Sequence, residues 1–406
     1  MSERHILHAA EHLYAPGRDG LLRDHGVLFD GHGRVIAVGP TKALALASDE
    51  RVDHPIAMPG VVNAHTHLTD AGRASPVPGG DGLVAWVGRL LAERRDETTE
   101  EIAAAASRTL EEMYWGGTIA VGEVANDDRT IDALESYAGH ACLIGELIAF
   151  KESGAESAME RGEALRHAVP SQADRSFSFG AHAPYSVSPT LMAMIAAESA
   201  RLDRPFFQHL AEDPDERLLY EKGEGPWADF LKGLDAWDDD FKAPGLSPIP
   251  FYDRLGIIDE RFVAVHLADA TTEEIALLAQ RGAGVILSPT SNRHITGLLP
   301  IVAEMAARGM RLAFGTDGRG SNRSMNVFDE ARLIGELFPT LTPGVLLHAL
   351  TVGGADILGT DAIGDFRAGM RPGLISVNAE VRGDGIGDLE RAILFSDARE
   401  MVGFDG

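Results

Sequence analysis

After Pro59-Gly60 the chain settles into one rhythm that runs to about residue 362: a short apolar run, a loop, then a long helical stretch. Short apolar runs without polar alternation are what strands covered on both faces require. Eight stand out, at residues 60–64, 118–124, 142–150, 177–181, 205–208, 262–265, 283–287 and 311–315. The stretches between them carry helix starts, because the first turn of a helix leaves N–H groups in need of acceptors. Ser188-Pro189 precedes residues 191–202, Thr271 and Glu274 form a capping box, and Thr342-Pro343 precedes residues 346–350. Eight strands alternating with helices predict an α/β chain built on a (β/α)8 barrel, with any site at the C-terminal ends of the strands.

The two ends of the chain break the rhythm. Gly26-Val-Leu-Phe-Asp30 and Arg34-Val-Ile-Ala-Val-Gly39 read as a hairpin closed by Gly31-His32-Gly33. From Ile363 the helical pattern gives way to strand-like pieces such as Leu374-Ile-Ser-Val-Asn378. Together the ends predict a small β-sandwich, contributed by residues 1–57 and 363–406, beside a barrel at 58–362. Six of the fifteen histidines (His5, His8, His12, His25, His32 and His54) fall in the first part, and all six are read as solvated surface.

Charge narrows the function. With 62 acidic against 36 basic residues, the net charge of −26 argues against nucleic acid or an anionic membrane as partner and leaves a small molecule. Cys142 is the one cysteine, so no intrachain disulfide forms. The first ten residues carry Glu3, Arg4, His5 and His8 where a signal peptide needs an apolar stretch, and no 18 apolar residues run together. The expected location is the cytoplasm.

Polar residues end several of the apolar strands. His65-Thr66-His67 follows 60–64, and alternation along a strand points both imidazoles the same way. His209 follows 205–208, His266 follows 262–265, and Asp317 closely follows 311–315. A single such histidine is commonly a core or loop residue. Four histidines and an aspartate from four strand ends of one barrel converge on one mouth, where they form a candidate metal site.

Several motifs lie in order along the chain: Pro59-Gly-Val-Val-Asn-Ala-His-Thr-His-Leu68, His182-Ala-Pro-Tyr-Ser-Val-Ser-Pro189, His209-Leu-Ala-Glu212, Ser288-Pro-Thr-Ser-Asn292 and Gly315-Thr-Asp-Gly-Arg-Gly-Ser-Asn322. In these motifs the chain resembles the amidohydrolase superfamily, and more closely its cytosine deaminase, chlorohydrolase and adenosylhomocysteine deaminase branch, aminodeoxyfutalosine deaminases included. The resemblance implies that His65, His67, His209 and Asp317 hold one divalent ion, zinc or else iron, with His266 bonding the water that the ion activates. It also implies that Glu212 shuttles protons. Binuclear relatives use a modified lysine at the end of the fourth strand. Here that strand ends in His182, and the nearest lysine is Lys151 after the third, so one metal is expected.

The implied activity is hydrolytic deamination of an amino-substituted heterocycle, such as an adenine-type nucleoside. Glu212, His266 and Asp317 would be catalytic, and His182, Asn292 and Arg319 would contact substrate. Arg319 and Arg323 replace small residues common in that branch and would suit an acidic substituent. Two other readings stand beside it: a chlorohydrolase or amide hydrolase using the same site, and a non-catalytic scaffold that has kept the fold. The 213–258 segment is long for a βα connection and rich in aromatics, which suggests a lid. The sequence leaves the oligomeric state open, a homodimer among the options.

Overall fold

The computed structural model describes residues 4–18, 21–93 and 97–403; Glu3, named above, lies outside the described residues. The chain opens with β1 (His5–Leu13), β2 (Leu22–Asp30), β3 (Val35–Pro40) and β4 (Glu50–Met58). β2 and β3 form the expected antiparallel hairpin, and the turn between them holds Gly33 at a φ of 73°, which favours glycine. β1 lies between β2, antiparallel, and β4, parallel.

The barrel follows: β5 (Val61–His67), β6 (Thr118–Ala125), β7 (His140–Leu147), β8 (Arg175–Ala181), β9 (Phe206–Leu210), β10 (Phe262–His266), β11 (Gly284–Leu287), β12 (Arg311–Phe314) and β13 (Asp317–Gly318). All neighbours pair in parallel, in the order β12-β11-β10-β9-β8-β7-β6-β5-β13. The two edge strands, β12 and β13, are consecutive in the chain, with only Gly315 and Thr316 between them. They are two pieces of one eighth strand, and the sheet therefore closes on itself. Val62, Ala64, Val124, Ile144, Phe207, Val263, Val265 and Ile286 form one buried cluster, and the outward sides of the strands pack on the helices. Each expected strand is present. The third is shorter than predicted and ends at Leu147, because only an isolated bridge between Ala149 and Val187 continues it. Both Thr271 and Ser188 cap their helices as expected.

β14 (Ile375–Val377) and β15 (Arg399–Met401) return to β4, completing a six-stranded sheet ordered β15-β14-β4-β1-β2-β3. The tail departs from the sequence reading in one respect. It also holds a helix, Ile386–Phe395, which buries Leu389, Ile393 and Leu394 beside the helix Pro343–His348. The four-residue spacing of Leu389 and Ile393 puts both on one helical face, and packing on the neighbouring helix fixes it. Two histidines also depart. His8 and His54 are buried, with His8 Nδ1 3.0 Å from His54 Nε2. They sit on adjacent strands and shield each other from water. Among the described residues no helix is long and apolar enough to cross a membrane.

Candidate active site

The strand ends of the barrel bring the polar residues together. His65, His67 and Asp317 place ligand atoms within 4.8 Å of one another, and so do His65, His209 and His266. His65 Nε2 lies 3.2 Å from His209 Nε2 and 3.7 Å from Asp317 Oδ1, and His67 Nε2 lies 3.3 Å from the same oxygen. Ligand atoms about 2.0–2.1 Å from a tetrahedral zinc are roughly 3.3–3.4 Å apart along each edge. His65, His67 and Asp317 at these spacings suit one divalent ion, and His209 adjoins them through His65.

The chain spends backbone strain to build this arrangement. Of the seven non-glycine residues with positive φ among those described, four stand here: Ala211, His266, Leu267 and Asp317. Strain of this kind persists only where the surroundings impose it. It has a visible use at His266. Alternation along β10 would aim that ring outward with Ala264, whereas a φ of 79° turns the strand end so that the ring lies 5.3 Å from His209 and 5.9 Å from His65. Gly315 has a different necessity. A Cβ there would stand 2.5 Å from the Cβ of His65, so only glycine lets the eighth strand pass.

Neighbouring groups fix the orientation of each ring. His209 Nδ1 donates to the His182 carbonyl at 2.8 Å, which leaves Nε2 free to face the mouth. That proton also rules out His209 Nδ1 as a ligand with Glu146 and His182, the third close group; Glu146 Oε1 lies 3.3 Å from the same nitrogen and reinforces its orientation. Ser291 Oγ at 2.6 Å and Ser321 Oγ at 2.9 Å both donate to Asp317 Oδ2, so Oδ1 is the oxygen turned to the histidines. Behind the first strand, Glu123 accepts from Thr66 Oγ1 at 2.7 Å and from the Leu68 N–H at 3.0 Å, clamping the His65-Thr66-His67 segment.

Glu212 Oε1 stands 3.7 Å from His266 Nε2, and both groups are buried. Asn292 Nδ2 donates to His266 Nδ1 at 3.1 Å, which puts the ring's proton on Nε2, on the side of Glu212. Burial pushes His266 down to about 3, so its ring is neutral at ordinary pH. Burial also raises Glu212 well above the usual carboxylate range, with Asp317, Asp213 and Glu216 adding to the rise. For Asp317 burial alone would act upward, but the close imidazoles of His65, His67 and His266 hold it well below that range.

A cavity of about 430 Å³ opens over these groups, a size typical of small-molecule sites. His67, His182, His209, Glu212, His266 and Asp317 line its inner end. His182 borders the cavity, with Nδ1 2.5 Å from Ser186 Oγ. Two residues expected to contact substrate are placed elsewhere. Asn292 is fully buried behind His266, and Arg319 turns away to pair with Glu112 at 2.7 Å. Lys151 is likewise away from the mouth, its ammonium bonded to the Asp235 carbonyl at 2.7 Å.

The 213–258 segment folds into three helices, Pro214–Lys222, Pro226–Gly233 and Pro248–Arg254. Its two halves differ. Trp227, Phe230, Leu231, Leu234 and Ala236 line the cavity, with Trp227 stacked on Tyr185 at 3.5 Å between ring centres. Trp237 and Phe241 pack on Phe150, and Tyr252 is buried against Tyr220, so this half is outer packing. The sequence reading missed Glu146, Ser291, Ser321, Tyr185 and Trp86. Tyr185 and the two serines carried a signal, since each lies inside one of the motifs given above, whereas Glu146 and Trp86 do not.

A sequence model described as the amidohydrolase family matches residues 56–401. The 5-methylthioadenosine/S-adenosylhomocysteine deaminase of Nitratidesulfovibrio vulgaris strain DP4 is 30% identical over 376 residues, covering 87% of this chain and 79% of that protein. The aminodeoxyfutalosine deaminase of Deinococcus radiodurans is 28% identical over 357 residues, covering 80% and 81%. Among solved structures, an adenosine deaminase from Xanthomonas campestris with bound zinc superposes with a TM-score of 0.76 at 26% identity, covering 92% of this chain and 84% of that one. The match extends from the last strand of the N-terminal sheet through the whole barrel to β15, and on it the chain belongs to the amidohydrolase family.

Proposed function

We propose that the protein is a metal-dependent hydrolase of carbon–nitrogen bonds that removes the amino group of a heterocycle, an adenine-type nucleoside in the first instance. The observation that carries this reading is the placement of Glu212 and His266 beside the cluster of His65, His67, His209 and Asp317, all at the inner end of one cavity. The relatives named above support the ring chemistry, since one is a deaminase of 5-methylthioadenosine and S-adenosylhomocysteine and the other of aminodeoxyfutalosine.

His65, His67, His209 and Asp317 would hold one zinc ion, and no lysine lines the mouth among the described residues to bridge a second. Such an ion lowers the pKa of water to about 7 and so supplies hydroxide at neutral pH. Glu212 takes a proton at its carboxylate and passes it to a ring nitrogen, which makes the carbon bearing the amino group electrophilic. His266 Nε2–H orients the attacking oxygen, and Asn292 fixes that ring from behind. Asp317, held by Ser291 and Ser321, helps carry the second proton to the departing ammonia. His182 borders the same space and contacts the ring. The buried surroundings exclude bulk water and strengthen each of these interactions.

The test is release of ammonia or chloride from a panel of aminopurine nucleosides, pterins, aminotriazines and chlorotriazines. Release from a purine nucleoside with conversion of the ring to the oxo form is expected. Release of chloride from chlorotriazines with no ammonia from any purine would replace this reading by the chlorohydrolase one.

A further inference from the structure

The polar groups account for only the inner wall of the cavity. Outward from the strand ends the wall passes to two helices, Leu83–Ala92 and Pro226–Gly233, that face each other. The first contributes Trp86 and Leu90, the second Trp227 and Phe230, and the rim is apolar too. Leu91, Ile148 and Leu234 at that rim are 41%, 45% and 54% exposed, although large apolar side chains usually avoid water. Among the described residues, no lysine or arginine lines the cavity; Asp70 does, with its carboxylate paired to Arg73 at 3.2 Å. The arginine best placed by sequence to meet an acidic substituent, Arg319, is paired with Glu112. The whole chain adds a net charge of −26 to this picture.

We propose that this outer chamber selects substrates whose substituent remote from the amino group is uncharged and apolar, an alkylthio or arylthio group for example, over those bearing a carboxylate there. The inference rests on the deaminase reading of the inner end. An apolar substituent replaces water along two helix faces, and each buried CH2 group contributes roughly a fourfold gain in affinity. A carboxylate in the same place would lose its hydration with no cation in the described wall to compensate, and Arg73 is already paired with Asp70 and Glu93. Specificity here therefore comes from the uncompensated cost of burying a charge as well as from apolar attraction.

The experiment compares kcat/KM for two adenosines of equal length at the 5′ position, one carrying a butylthio and the other a carboxypropylthio group. The butylthio compound is expected to be preferred by at least about tenfold. A ratio within threefold of one overturns the proposal. Leu234→Arg, at an exposed rim position that tolerates a long side chain, is expected to shift the ratio at least about fivefold toward the carboxylate. An unchanged ratio in that variant also overturns it. Calorimetric Kd values for the same pair make the comparison independent of turnover. If neither compound releases ammonia, the deaminase reading fails, and the ratio of Kd values still decides for or against the apolar chamber.

Discussion

Two regions of this molecule bury histidines, and they use them differently. In the sheet made by the chain ends, His8 and His54 stack at 5.3 Å between ring centres, and His54 Nδ1 reaches Ser376 Oγ at 3.0 Å. The pair stands on regular strands, and neither residue has positive φ. At the barrel mouth the imidazoles meet carboxylates instead, on backbone bent into the left-handed region at His266 and Asp317, and a cavity opens above them. Burial of a histidine is thus no sign of function by itself. Convergence with carboxylates, local strain and access to a cavity separate a site from a satisfied core pair.

The sharpest way to break this contrast is Glu212→Gln. The amide nearly matches the carboxylate in shape but cannot relay a proton, so turnover is expected to fall about 10²–10⁴-fold. Metal content and thermal stability should stay near wild type. Steady-state kinetics with elemental analysis measure both, and near-normal turnover would reduce Glu212 to a structural carboxylate.

A smaller effect is expected from the serines that hold Asp317. With Ser291→Ala and Ser321→Ala combined, Oδ2 loses both donors, and metal affinity should drop about 10–100-fold. Competition with a chelator reads this directly. Unchanged affinity would mean that Asp317 is held by its strained backbone alone.

The chain-end pair should show its character in stability against pH. Burial, then repulsion from His54, lowers His8 to about 4, and burial lowers His54 as well. The unfolded chain accepts protons near pH 6.5 that the folded sheet refuses. The contribution is therefore complete above about 6.5 and is lost as pH falls toward 4, by up to about 3 kcal/mol for His8. Urea unfolding at pH 7 and 4.5 is expected to show a smaller loss in His8→Leu than in wild type, with ammonia release at pH 7 unaltered. Equal losses would mean that the pair does not resist protonation.

The smallest change expected is that of Arg319→Ala. Its ion pair with Glu112 is partly exposed, and such pairs contribute about 0–1 kcal/mol. Substrate KM should move less than twofold. A large rise in KM would return Arg319 to the substrate site.

Much of the barrel was legible because strands buried on both faces must be apolar, and because Gly-Thr-Asp and His-Thr-His stand where such strands end. What could not be read depends on directions in space. His8 and His54 are 46 residues apart, and only the parallel pairing of β1 with β4 brings them together. Glu146 sits inside an apolar run, where nothing local says that it faces His209. Arg319 pairs with Glu112, 207 positions earlier in the chain, a contact that no local spacing records. The helix Ile386–Phe395 was hidden by the glycines around it, Gly383, Gly385 and Gly387, and forms because its apolar face meets the barrel.

The central claim is that one metal ion at the mouth, held by His65, His67, His209 and Asp317, serves the hydrolytic reaction. The most direct measurement is a metal titration of chelator-treated protein, with zinc added stepwise and ammonia release from the best purine nucleoside followed at each step. Activity should rise in proportion to added zinc and break at about one equivalent per chain. A break at two equivalents, or deamination indifferent to zinc, would contradict the account.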